Sequence, residues 1–132
     1  MPIKGLFTPY DLDRINAAIV YIDKNYRNAI SAEHLAMEVE MDIKQLQAGF
    51  QFQKGVTIHN YILRVRIERS MEDLENFRLP IKFIALKHGF SSPSHFGAEF
   101  KKQRGMTPKE FRYQLILDSR YLKMITVARE SA

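Results

Sequence analysis

The sequence predicts an all-α fold, a seven-helix domain with two helix-turn-helix lobes joined by a long linker helix. Three observations predict it. Apolar residues recur at helical spacing along most of the chain, and no strand-like alternation interrupts them. Caps and stops cut that pattern into segments of ordinary helix length. From Asp42 onward the chain matches itself at an offset of 50 residues, so one structural unit is used twice.

Residues 1–10 read as an N-terminal arm or residual linker, and the domain as residues 11–112. The first helix is "DLDRINAAIVYIDKNY", Asp11 to Tyr26, with Ile15, Ala18, Ile19 and Ile22 on one stripe. Ser31 caps a short helix that buries Leu35, Ala36 and Val39. After a break at Glu40 and Met41, Asp42 caps a second helix and Gln45 completes a capping box. Leu46 and Phe50 share its buried side, and Gly55 stops it, ending lobe one at about residue 56.

Thr57 opens the longest pattern, the linker helix of about residues 57–75, with Ile58, Tyr61, Ile62, Val65, Met71 and Leu74 as its buried candidates. At 1.5 Å per residue it would be about 27 Å long. Pro80 disfavours a helical Leu79 and suits the first turn of the next helix, "IKFIALKH", which Gly89 stops. Ser92 caps the following helix, with Pro93 at its first position and Gly105 after its end. Thr107, Pro108 and Glu110 supply cap, first-turn proline and box glutamate for the last helix, so lobe two spans about 80–112. Residues 113–132 finish that helix and form a C-terminal tail, read either as an eighth short helix or as partly disordered.

The repeat pairs Leu46 with Phe96, Phe50 with Phe100, Gly55 with Gly105, Thr57 with Thr107 and Tyr61 with Phe111. Leu35 and Ala36 match Ile84 and Ala85 at an offset of 49, so the two turns differ by one residue. Each unit is short helix, tight turn, short helix and stop, which is helix-turn-helix spacing. The positions read as outward differ: Lys44, Gln45, Gln47 and Gly49 against Ser94, His95, Gly97 and Glu99. A helical solenoid would need roughly three repeats for stability, and only two are present.

The 132 residues carry a net charge of +5, unevenly placed. Residues 1–40 hold 4 basic and 6 acidic side chains, residues 41–90 hold 8 and 5, and residues 91–132 hold 8 and 4. A positive excess that starts at the first candidate recognition segment favours a polyanionic partner, although a solvated lysine-rich surface has the same signature. The absence of cysteine excludes disulfides, thiolate zinc sites and a cysteine nucleophile. No apolar run reaches membrane-span length, so the expectation is a soluble, cytoplasmic chain without membrane association. His34, His59, His88 and His95 form no HExxH pair, and no nucleophile elbow, Walker loop or GxGxxG is present. No enzyme activity, metal or cofactor is expected.

These residues together resemble the DNA-binding domain of the AraC/XylS family of bacterial transcription regulators. The resemblance rests on Gly89-Phe90, Ser92, Phe96, Phe100, Lys101-Lys102, Gly105, Thr107-Pro108 and Phe111-Arg112. In the first unit it rests on Leu35-Ala36, Leu46, Phe50, Gly55, Tyr61 and Arg66, and it covers about Asp11 to Arg112. It implies a monomeric domain that places one recognition helix in each of two adjacent major-groove segments of double-stranded DNA. It also implies contact with RNA polymerase in activators.

By resemblance, Lys44, Gln47 and Ala48 occupy groove-facing positions in lobe one, with Gln45 and Gln51 also outside the Leu46/Phe50 side. In lobe two the matching positions are Ser94, His95 and Ala98, beside Gly97 and Lys102. Glutamine can pair with adenine and lysine with guanine acceptors, while an alanine methyl can pack on thymine. The bland readings are solvated surface for Gln47, phosphate contact for Lys44, helix propensity for Ala98 and an exposed first-turn residue for His95. The family often has arginine where Ala48 and Ala98 stand, so another member's target sequence does not transfer. Phosphate-contact candidates are Lys54, Arg66, Lys101, Lys102, Lys109 and Arg112, plus the helix starts at Thr57 and Thr107. Arg66 and Arg112 read equally as internal ion-pair residues. Phe50, Phe90, Phe96, Phe100 and Phe111 are read as core.

The function expected is sequence-specific DNA binding and transcription regulation, with activation suggested by family habit. The alternative is a protein-interaction module with little sequence-specific DNA binding. No sensor domain is recognisable, which fits either a stand-alone regulator or a fragment of a longer one.

Overall fold

A computed structural model describes residues 7–131 of the chain. The described residues form α1 (Pro9–Asn25), α2 (Ala32–Glu38), α3 (Ile43–Lys54), α4 (Ile58–Leu74), α5 (Ile81–Lys87), α6 (Pro93–Arg104) and α7 (Pro108–Ser131), with no strand among them. Their contacts divide the chain into two units, one ending at Arg66 and the other starting at Ile67, inside α4.

In the first unit α1, α2 and α3 pack on one another. The stripe read from the sequence is its centre: Ile15, Ala18, Ile22, Leu35, Leu46 and Phe50 are buried, with Ile58, Tyr61, Ile62 and Val65 of α4 closing the cluster. Full burial of each large apolar side chain contributes about 1.5–3 kcal/mol. In the second unit α5 packs on α6 and α6 on α7. Its core holds Ile67, Leu74, Ile84, Ala85, Phe90, Phe96 and Phe100. The aromatic rings run in sequence from Phe90 to Phe96, Phe100 and Phe111, with centroids 5.1, 5.8 and 5.5 Å apart. Phe111 itself is only half-buried.

Four details differ from the sequence expectation. Helix α1 begins at Pro9 rather than Asp11, because Thr8 and Asp11 form a full capping box with bonds of 3.0 and 3.1 Å. The signal was present, since "TPYD" has the same cap, proline and acid spacing as "TPKE", whose Thr107 and Glu110 also cap reciprocally. Residues 1–6 of the expected arm lie outside the described residues.

Second, only half of the capping box at Asp42 forms. The Asp42 carboxylate accepts from the Lys44 and Gln45 backbone N–H groups, but the Gln45 amide reaches Asp11 of α1 at 3.4 Å. Third, Gly49 is buried rather than outward, and α1 passes so close that an added Cβ would lie 2.7 Å from Ile15 Cγ1. Fourth, the tail forms no eighth helix. The 24-residue α7 runs unbroken to Ser131, in a stretch with no glycine or proline after Pro108 to interrupt it.

Candidate nucleic-acid interface

In lobe one, Asp42 and Gly55 fix the two ends of α3, the latter in the left-handed conformation that glycine adopts without strain (φ 71°). Fully buried Leu46 and Phe50 set its rotation about its axis. Lys44, Gln47 and Gln51 are consequently exposed and Ala48 is half-buried, whereas Gln45 is turned toward α1. Gln47 and Gln51 line a depression of about 210 Å³ together with Ala32, Thr57, Ile58 and His59. The Thr57 hydroxyl accepts the Asn60 N–H at 3.1 Å, capping the start of α4 beside that depression. His59 was missed by sequence reasoning; its place two residues after the Thr57 cap was the available signal. The exposed Lys54 ammonium stands 5.5 Å from the Tyr61 ring centroid.

In lobe two, Ser92 caps α6 by accepting the His95 N–H at 3.1 Å, and Pro93 occupies the first turn. Phe96 and Phe100 are fully buried, which leaves Ser94, His95 and Ala98 exposed and Gly97 half-buried. The His95 ring stands edge-on to Phe90 at 5.3 Å, so its orientation is partly set by the core. Nothing lies within 4 Å of a Cβ placed on Gly97, and the surface there is flat and open. Lys101, Lys102 and Arg104 give α6 a basic last turn of exposed side chains; Arg104 was not among the sequence candidates. Lys109 is exposed on α7. At Thr107 the backbone N–H is already taken by Glu110, whose carboxyl is held below the usual range mainly by that bond.

Arg66 and Arg112 differ from the phosphate-contact expectation. Arg66 donates from Nε to the Tyr26 carbonyl at 2.8 Å and from Nη2 to the Asn28 carbonyl at 3.0 Å. Arg112 donates from Nε to Leu74 at 3.1 Å, from Nη1 to Leu79 at 2.7 Å and from Nη2 to Asn76 at 3.2 Å, again all carbonyls. Burial lowers both guanidinium pKa values. Each arginine satisfies carbonyls at the end of one helix and in the loop that follows it, fastening the approach to a helix-turn-helix pair. Among the described residues neither arginine forms an ion pair with a carboxylate. The positions are not equivalent: Arg66 lies nine residues after Thr57, Arg112 five after Thr107, one helical turn apart.

A second fastening holds α5. His88 is buried, with Nε2 2.7 Å from Asp73 Oδ2, and Lys87 Nζ reaches the same oxygen at 2.8 Å. The end of α5 is thereby tied to the end of α4, which steadies the helix against which α6 packs. Among the described residues no group of acidic and histidine side chains is placed to hold a metal, and no helix is long and apolar enough to cross a membrane.

Two helix pairs, each with a capped second helix held by buried anchors and an outer face of polar or small side chains, define a helix-turn-helix domain. A family profile described as "Helix-turn-helix domain" matches residues 35–114. The chain belongs to the AraC-type helix-turn-helix DNA-binding domain family. It is 29% identical over 110 residues to the probable transcriptional regulator LumQ of Photobacterium leiognathi, covering 82% of this chain and 44% of that one. It is 30% identical over 105 residues to the HTH-type transcriptional activator AarP of Providencia stuartii, covering 80% and 78%. The chain spans about half the length of LumQ and of several other curated relatives.

Among solved structures, an AraC-type DNA-binding-domain regulator from Chromobacterium violaceum superposes with a TM-score of 0.73 at 27% identity, covering 78% of this chain and 92% of that one. The DNA-binding domain of AdpA, solved in complex with a target DNA, shares the fold at a TM-score of 0.72 and 19% identity, covering 76% and 91%.

Proposed function

We propose that the chain is a sequence-specific reader of double-stranded DNA that regulates transcription in the cytoplasm, as an activator that contacts RNA polymerase. One molecule engages two adjacent major-groove segments, one through α3 and one through α6. The observation that carries this reading is that each of these helices is capped, anchored by two buried residues and left with an exposed polar outer face. The complex of the similarly folded AdpA domain with a target DNA supports DNA as the partner, and the naming of AarP as an activator supports the sign of regulation.

In this reading Gln47 and Lys44 are the principal base readers of lobe one, with Ala48 and Gln51 beside them. Ser94, His95, Gly97 and Ala98 form the close-fitting counterpart in lobe two. Small side chains on α6 bring its backbone near the groove floor but offer few hydrogen bonds, so lobe two contributes more position than sequence reading. Lys54, Lys101, Lys102, Arg104 and Lys109 register the phosphate backbone, aided by the free N–H groups at the α4 start. Arg66 and Arg112 support the lobes from within, and Gln45 ties α3 to α1.

The test is selection of bound duplexes from a random library, followed by affinity measured against salt. Two enriched patches about one helical turn apart are expected. Gln47→Ala should change the preferred bases of one patch, whereas Lys102→Ala should weaken binding to all duplexes and reduce the salt slope by about one. Uniform weak binding with no enriched motif would overturn the reading in favour of a protein-interaction module.

A further inference from the structure

The two lobes share a scaffold, yet the surface on the first helix and turn of each carries opposite charge. At an offset of 49, Glu33 of α2 corresponds to Lys82 of α5, Met37 to Leu86 and Glu40 to Gly89; Glu38 corresponds to Lys87, whose ammonium is already held by Asp73. In lobe one Glu33, Met37 and Glu40 are exposed and border a depression of about 520 Å³. Met37, at 79%, is the most exposed of the large apolar side chains described. In lobe two Lys82 is exposed beside Phe83 at 49% and Leu86 at 52%. Neither surface is covered by any part of the chain's own described structure.

Glu40 sharpens the contrast. Its φ of 54° lies in the left-handed region, where lobe two has Gly89 at φ 92°. A residue with a Cβ is strained there, so a glutamate stands at a turn that glycine would make more easily. Its carboxylate acts at a distance on the Arg14 guanidinium, whose main partner is Asp13, and otherwise faces solvent. A patch bearing Glu33 and Glu40 is repelled by phosphate, so it is not a DNA surface. The Lys82 patch occupies the same place in the same scaffold, on α5 rather than on the outer face of α6.

One partner carries both complements on the same scaffold: a second copy of this chain. We propose that the α2–turn surface of one copy docks head to tail on the α5 surface of the next, with Glu33 meeting Lys82 and Met37 packing on Phe83 and Leu86. Methionine suits such a contact because its flexible thioether packs favourably against aromatic rings. The contact is heterologous, joining two different patches, and contacts of that kind build closed rings or open rows according to the rotation between successive copies. A few side chains on each partner make an interface at the small, transient end of the range, one that forms where copies are concentrated, as on neighbouring DNA sites.

The proposal is tested without DNA, which separates its failure from failure of the DNA-binding reading. Sedimentation velocity of the full chain at low salt, up to millimolar concentration, should show a rising average sedimentation coefficient that added salt suppresses. Glu33→Lys and Lys82→Glu should each weaken association by about tenfold, and an equimolar mixture of the two variants should restore it, because each then meets its complement on the other. Met37→Ser should weaken it at unchanged net charge. All three positions are exposed, and circular dichroism checks that each variant folds. A monomer at every concentration, association indifferent to both reversals, or variants that fail to recover on mixing would each overturn the proposal. So would a Lys82→Glu variant that loses DNA affinity uniformly while associating normally, since Lys82 would then belong to the DNA backbone contact.

Discussion

Removing the Arg112 side chain should destabilise lobe two without changing how the protein counts phosphates. Its guanidinium makes three bonds to carbonyls: those to Leu74 and Leu79 are half-buried and the one to Asn76 is exposed. A half-buried bond from a charged donor contributes about 1.5 kcal/mol, and an exposed one about 0.5 kcal/mol or less. Arg112→Ala should therefore cost about 3 kcal/mol and lower the thermal midpoint by about 10 °C. Arg112→Lys retains the charge but cannot fork to several acceptors, so it should recover only a minor part. The assay pairs thermal unfolding by circular dichroism with DNA titration against salt, well below the midpoint. Both variants should keep the wild-type salt slope. An unchanged midpoint together with a slope reduced by about one would refute the reasoning and return Arg112 to the phosphates.

Gly49→Ala should destabilise lobe one by about 1–2 kcal/mol by denaturant titration, because crowding a stiff, buried Ile15 outweighs the roughly 1 kcal/mol that alanine adds to helix stability. Gly97→Ala meets nothing within 4 Å and should instead stabilise by about 0.5–1 kcal/mol, while weakening DNA binding if α6 approaches the groove floor closely. Burial works to raise the Asp73 carboxyl, but bonds and charge from Lys87 and His88 outweigh it and hold the group below the usual carboxylate range. In acid the unfolded chain takes up that proton first, so stability should fall as pH drops below about 4, through the lower folded value. Asp73→Asn should flatten this part of the pH profile, as read from urea midpoints.

The helices were legible because their signals are local. Caps at Ser31, Asp42 and Ser92, stops at Gly55 and Gly105, and apolar periodicity act within a turn or two of themselves. What escaped was set by contacts between distant segments. Gln45 sits at the box position, but Asp11 of α1 competes for its amide. Gly49 aligns with Glu99 in the repeat and so looked outward; only the approach of Ile15 makes it a core position. The candidate site divides in the same way. Lys44, Gln47, Ser94 and Ala98 follow from helix phase and stand where phase puts them, clear of the buried anchors. Arg66 and Arg112 were ambiguous because the acceptors of each lie more than 30 residues away, and a carbonyl leaves no mark in the sequence.

The two arginine fastenings also bear on how the lobes are to be compared. At the offset of 50 that aligns the caps, anchors and stops of α3 and α6, Arg66 falls opposite Ile116 and Arg112 opposite Ile62, so position-by-position matching pairs neither arginine with the other. The receiving half persists, with the carbonyls of Tyr26 and Asn28 in one lobe answered by those of Leu74 and Asn76 in the other. It is as though a keyhole had been copied while the key was cut afresh from a different stretch of metal. A relative that lacks an arginine at either site is therefore not thereby missing the lock, and the place to look for its replacement is one turn along the same helix.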